Sequence, residues 1–181
     1  MLIRCQCYNL VMTCYSIRQF GDQVLKEKCL RVDRIDKDIK KLVKEMATSM
    51  YEANGLGLAA PQLGILKQVI VLDVSSEGED LRGYVNPEIL WYSKEKSSEE
   101  EGCLSLGTLR LQISRPSKIT FRAIDIQTKK LVAFDADEWL SRVLQHEVDH
   151  LNGITIIDKA DKEEKKKALK ELNLLASIPR L

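Results

Sequence analysis

Apolar residues at Ile35, Ile39, Leu42, Val43, Met46 and Met50 recur at intervals of three and four, which predicts an amphipathic helix from about Val32. Asp33 or Asp36 is placed to cap its start, and Asn54-Gly55 to stop it. Leu66 to Val74 is a mostly continuous β-branched apolar run and reads as a buried strand. A second strand region, punctuated by Asn86-Pro87, runs to Tyr92. After Arg115-Pro116, residues Ile119, Phe121 and Ala123 alternate with Thr120 and Arg122, and Leu131 to Phe134 pairs with them across Gln127 to Lys129 as a hairpin. The intervening stretch from Lys94 is charged and serine-rich, so a solvated loop is expected through Glu99 and Glu100.

Further on, Trp139, Val143, His146 and His150 form one helical stripe, and Leu140, Leu144, Glu147 and Leu151 the next. Two adjacent stripes with apolar members place this helix inside the sheet layers. Asp135 and Glu138 suggest a capping box at its start, and Asn152-Gly153 closes it. From Asp158 the chain becomes a lysine-rich helical tail with a thin apolar stripe of Leu169, Leu172 and Leu175.

The 181 residues, 44% of them hydrophobic, suffice for one domain with a core of its own. Its expected parts are an N-terminal extension (1–21), a catalytic domain (22–157) and the basic tail (158–181). Lys and Arg number 28 against 27 Asp and Glu, which argues against a general nucleic-acid or membrane binder and gives no sign of specific DNA recognition. No run of 18 apolar residues is present to span a bilayer. Five scattered cysteines, an odd number, indicate a reducing compartment such as the bacterial cytoplasm, and leave at least one available as a working thiolate. Residues 1–21 carry Arg4 and Arg18 and no acidic residue. An organellar address would follow if they were a transit peptide; a start site assigned too early, with Met12 as the later one, is the simpler reading.

The two histidines of the chain, His146 and His150, stand four residues apart, with Glu147 directly after the first. On a helix both imidazoles project from one face and can grip one metal ion, while Glu147 reaches a water on that metal. That is hydrolase chemistry. The glycine-rich run Gly55 to Gln62 follows a helix and lacks a Lys-Ser/Thr ending, so neither dinucleotide nor P-loop binding is supported, and a backbone-lined edge for an extended substrate fits better. Cys103, in Glu101-Gly102-Cys103-Leu104-Ser105, is a candidate third ligand; the alternative is a buried thiol acting as a small hydrophobe. A zinc metalloprotease would instead take Glu171 as its third ligand, leaving Cys103 and the glycine loop without a role. A non-catalytic metal-stabilised module, perched on the ribosome through the tail, would need a fourth ligand, and no further Cys or His lies near these motifs.

Three separated motifs, Gly55 to Gln62, Glu101 to Ser105 and Gln145 to Gly153, together resemble those of peptide deformylase. The resemblance implies an α+β fold with antiparallel sheets packed around a central metal-binding helix, plus an N-terminal and a C-terminal helix. It implies Cys103, His146 and His150 as metal ligands, Glu147 as catalytic acid/base, and Gln62 with the backbone N–H of Leu104 as donors to the developing oxyanion. The metal would be Fe²⁺, with Zn²⁺ or Ni²⁺ able to substitute, and the substrates N-formylmethionyl peptides and nascent chains. Leu56, Trp139 and Val143 are expected to line the methionine pocket, with Gly57 beside the substrate. Glu101 and Arg115 are expected to form an ion pair supporting the Cys103 strand. Two departures stand out: Gly107 and Thr108 replace a common proline, and Glu138 replaces the usual glycine before the metal helix. Lys159 to Leu181 carries seven basic and four acidic residues, a net +3 that suits weak ribosome contact.

Overall fold

The computed structural model describes residues 16–75 and 78–176, with side chains as far as residue 173. Met12, the first three cysteines and the Leu175 side chain lie outside the described residues. The elements are α1 (Lys37–Glu52), β1 (Gly57–Ala59), β2 (Val69–Leu72), β3 (Arg82–Tyr92), β4 (Lys96–Gly102), β5 (Arg110–Pro116), β6 (Lys118–Asp125), β7 (Leu131–Asp137), α2 (Glu138–Leu151), α3 (Ile156–Lys159) and α4 (Lys162–Ala176). Helices and antiparallel sheets are mixed, in keeping with the α+β class.

Five strands form one sheet in the order β1-β2-β3-β6-β7, and β4 and β5 form a separate two-stranded sheet. The continuous apolar run of β2 has a direct cause. Ile70 and Leu72 face α2 and pack with Val143, Leu144, Val148 and Leu151, whereas Val69 and Val71 face α1 and pack with Leu42, Val43, Met46 and Met50. A strand covered on both faces has no polar side to show. Helix α2 packs against the five-stranded sheet and also against β5. A third cluster joins Cys103, Leu111 and Ile113 to Ile156, Ile157 and Ala168, with Leu169 and Leu172 packed against it, so the described part of the tail is docked on β5.

Asp36 is the cap of α1, accepting from the N–H groups of Asp38 and Ile39 at 3.0 Å each. The 118–137 hairpin has Phe121 opposite Phe134 and Ile124 opposite Leu131. The Asn86-Pro87 pair lies within β3: Asn86 takes a left-handed conformation (φ +51) at a register shift, and its amide exchanges two 2.8 Å hydrogen bonds with the Val32 backbone. Asparagine tolerates that conformation better than most residues.

Two expectations need correction. The charged stretch before Cys103 is a strand: β4 pairs with β5 from Lys96↔Pro116 to Gly102↔Arg110. Glu99 and Glu100 are exposed as expected, but ladder hydrogen bonds come from the backbone and do not depend on side-chain polarity. Nor is there a capping box at α2. Asp135 lies in β7 and accepts from Thr120 Oγ1 at 2.6 Å, and the cap is Asp137, without a side-chain capping bond. Glu138 opens the helix at φ +46, which explains why a glycine suits this position. Gly107 adopts φ +64, ψ −125, a conformation closed to proline. Among the described residues no helix is long and apolar enough to cross a membrane.

Candidate metal centre and active site

Cys103 leaves the end of β4 while His146 and His150 project from α2, and their ligand atoms all lie within 4.8 Å of one another. Cys103 Sγ is 3.2 Å from His150 Nε2. One ion can reach all three, and a thiolate with two imidazoles is a donor set suited to a first-row divalent metal. Glu171, the ligand a metalloprotease would need, is exposed on α4 and outside this cluster.

The surroundings favour the charged sulfur. Burial alone would raise the Cys103 thiol, but the nearby His150 charge and hydrogen bonds from both imidazoles hold it well below the usual thiol range. His146 Nδ1 lies 3.1 Å from Glu101 Oε2, leaving the other ring nitrogen for the cluster. The expected Glu101–Arg115 pair is present and bidentate: Nε and Nη2 of Arg115 donate to the two carboxylate oxygens at 2.6 and 3.0 Å. Burial opposes ionisation of Glu101, yet its bonds to His146 and Arg115 outweigh it and bring the carboxyl to about 2.

Glu147 is 3% exposed, and its Oε2 is buried with no hydrogen-bond partner among the described residues. Burial pushes its carboxyl up to about 7, against the pull of both histidines. Gly57 comes so close that a Cβ there would stand 2.5 Å from Glu147 Oε1. The Gln62 amide is held by its own turn: the Ala59 N–H donates to Oε1 at 2.9 Å. Only the oxygen can accept, so Nε2 turns toward Ser105 Oγ at 3.1 Å and Cys103 Sγ at 3.7 Å. Leu104 follows Cys103 and begins a short turn through Leu106.

A cleft of about 370 Å³ opens over this centre, lined by Gly55 to Gly57, Gln62, Glu100 to Leu104, Trp139, Val143, His146 and Glu147, with Arg110 and Arg142 also on its wall. Leu56 and Trp139 are 42% and 46% exposed, while Val143 is 8% exposed; all three border the cleft. Sequence reasoning missed Arg142 and Asp149. Arg142 donates to Glu101, and Arg115 Nη1 donates to Asp149 at 2.7 Å. A signal for Arg142 was available: an arginine one turn before His146, on a helix expected to be buried, must find an anion.

A Cys-His-His cluster beside a buried carboxylate, at the floor of a cleft between a helix and two sheets, is the arrangement of a mononuclear metallohydrolase. A profile described as polypeptide deformylase matches residues 14–166. A peptide deformylase of Natranaerobius thermophilus is 45% identical, covering 83% of this chain and 94% of that protein. Among solved structures, the peptide deformylase of Thermotoga maritima superposes with a TM-score of 0.77 at 39% identity, over 81% of this chain and 97% of that one. A Synechococcus elongatus peptide deformylase in complex with actinonin gives 0.85 at 34% identity, over 94% and 95%. The chain belongs to the polypeptide deformylase family. Its function is the metal-dependent removal of the N-formyl group from the initiator methionine of newly made polypeptides, and its donor cluster suits a single metal ion.

Proposed function

We propose that Cys103, His146 and His150 hold that ion, that Fe²⁺ is its native form with Zn²⁺ or Ni²⁺ able to substitute, and that Glu147 is the catalytic acid/base. The observation carrying this reading is the convergence of the three donors within 4.8 Å beside the unpartnered Glu147 oxygen. When bound, the metal supplies Lewis-acid activation of water and of the formyl carbonyl. Glu147 takes a proton from the attacking water and delivers it to the departing amine. Gln62 Nε2, fixed by Ala59, and the backbone N–H of Leu104 receive the charge growing on the carbonyl oxygen. Glu101, held by Arg115, keeps the His146 ring in place. Gly57 lets the substrate backbone approach, and Leu56, Trp139 and Val143 take the methionine side chain. A ligand such as the actinonin of the Synechococcus structure would occupy the same cleft.

The test is formate release from formyl-Met-Ala-Ser with metal content measured on anaerobically purified protein. Glu147→Ala should keep its metal and lose about 10²- to 10⁴-fold in rate; loss of the metal in that variant would make Glu147 a ligand instead.

The bacterial source of relatives such as the Natranaerobius thermophilus protein supports work in the bacterial cytoplasm, an organellar address being the alternative if residues 1–21 are a transit peptide. Ribosome contact through α4 is supported by the local net charge of +3 in Lys159 to Leu181. Because Ala168, Leu169 and Leu172 pack in the cluster that holds Cys103, the test changes charge alone: replacing the exposed Lys162, Lys166 and Lys170 with Glu should lower co-sedimentation with ribosomes at low salt while the protein still turns over free formyl-peptide; unchanged co-sedimentation would leave the charge of α4 without that role.

A further inference from the structure

Cys103 and the two histidines reach the centre on separate pieces of the fold. Among the described residues, β4 and β5 hydrogen-bond to each other and to no strand of the five-stranded sheet. Backbone bonds among these residues tie the hairpin to that sheet at its base alone, where the Ser93 N–H donates to the Lys118 carbonyl and the Ser117 N–H to the Glu95 carbonyl, each at 2.9 Å, so the seating of its Cys103 end on α2 falls largely to side chains. Arg142 stands one turn before His146 on α2, and its side chain is 5% exposed. Its Nη1 donates to Glu101 on β4 and to the Ile113 carbonyl on β5, the latter at 3.0 Å. Its Nη2 donates to the Ser97 carbonyl and hydroxyl on β4, each at 3.0 Å. One planar guanidinium thus bridges both strands of the hairpin and the carboxylate that contacts His146.

Two further bonds follow along the same helix stripe. Gln145 Nε2 donates to the Pro116 carbonyl at 2.9 Å, and Asp149 accepts from Arg115 at 2.7 Å. Each of these reaches one strand, whereas Arg142 reaches both.

We propose that Arg142 is a positioning residue that sets the spacing of Cys103 against His146 and His150 by clamping the β4–β5 hairpin onto α2. The proposal rests on reading those three residues as the metal donors. Lysine preserves the charge, but its three donors sit on one nitrogen and cannot span two strands. Because Arg142 also borders the cleft, the competing role is direct contact with substrate.

The experiment titrates metal-free wild type, Arg142→Lys and Ser97→Ala with Co²⁺ against a chelator, following thiolate-to-cobalt absorption, with KM measured at saturating metal. A wild type without the thiolate band would overturn the donor assignment and the clamp with it. With the band present, Arg142→Lys should bind Co²⁺ about 10- to 100-fold more weakly, with a shifted band and unchanged KM. Ser97→Ala removes one of the bonds and should weaken binding a few-fold in the same direction, which decides the matter should Arg142→Lys fail to fold. Affinity within about threefold of wild type in Arg142→Lys overturns the clamp, as does affinity indistinguishable from wild type in Ser97→Ala if that is the variant that folds. So does a raised KM at normal affinity, or a fall in thermal stability with affinity intact.

Discussion

Gly57→Ala adds a single methyl group at a defined distance from the proposed acid/base. The new Cβ would stand 2.5 Å from Glu147 Oε1, 2.9 Å from Cδ and 3.1 Å from Cγ, whereas ordinary contact begins near 3.4 Å. The carboxylate must therefore withdraw by about 0.9 Å. The clashing atoms are the end of a flexible side chain that borders the cleft, so it can give way, but only by leaving the position proposed for proton transfer. The backbone itself does not object: Gly57 of β1 pairs with Leu72 of β2 and is not among the positive-φ glycines. A displacement on the order of 1 Å in a catalytic group can cost up to about 10²-fold, so kcat should fall by roughly 10- to 100-fold with metal content unchanged. Steady-state formate release, metal per chain and a thermal melt read the three quantities separately. Retention of kcat within about threefold, with metal intact, would refute the argument. A raised KM at unchanged kcat would also count against it, placing the methyl against substrate instead of Glu147.

Glu138→Gly relieves a left-handed conformation at φ +46 that costs an L-residue about 1–2 kcal/mol, less roughly 0.4–1 kcal/mol for the freer unfolded chain. The net expectation is a stabilisation of about 0.5–1 kcal/mol in denaturant unfolding, and a lower midpoint would contradict it. Val143→Trp, filling the cleft from α2, should raise KM for formyl-Met peptides by about tenfold or more; a large loss of thermal stability with KM unchanged would make Val143 a core residue alone.

Local pattern carried much of this protein. The three-and-four spacing that made α1, the alternation that made the 118–137 hairpin and the two-stripe pattern of α2 are each consequences of periodicity against a buried face. The His146-Glu147-His150 turn was legible for the same reason, since one helix turn fixes which side chains converge. Cys103 was different: residues alone left it between ligand and buried thiol, and it took the three-motif resemblance to choose and the fold to bring its sulfur to 3.2 Å from His150. Strand β4 hid behind charged side chains, because a two-stranded ladder exposes polar groups while its backbone pairs, whereas β5 carries a legible alternation, with Leu111 and Ile113 buried between Arg110, Gln112 and Ser114. The left-handed Glu138 was visible only as an odd residue for its place, since conformation at a strand-to-helix corner is imposed by what lies on either side. Arg142 shows where sequence stops. A buried arginine announces that it needs an anion, but only the packing of a separate hairpin onto α2 decides that Glu101 meets it, together with main-chain carbonyls from both strands.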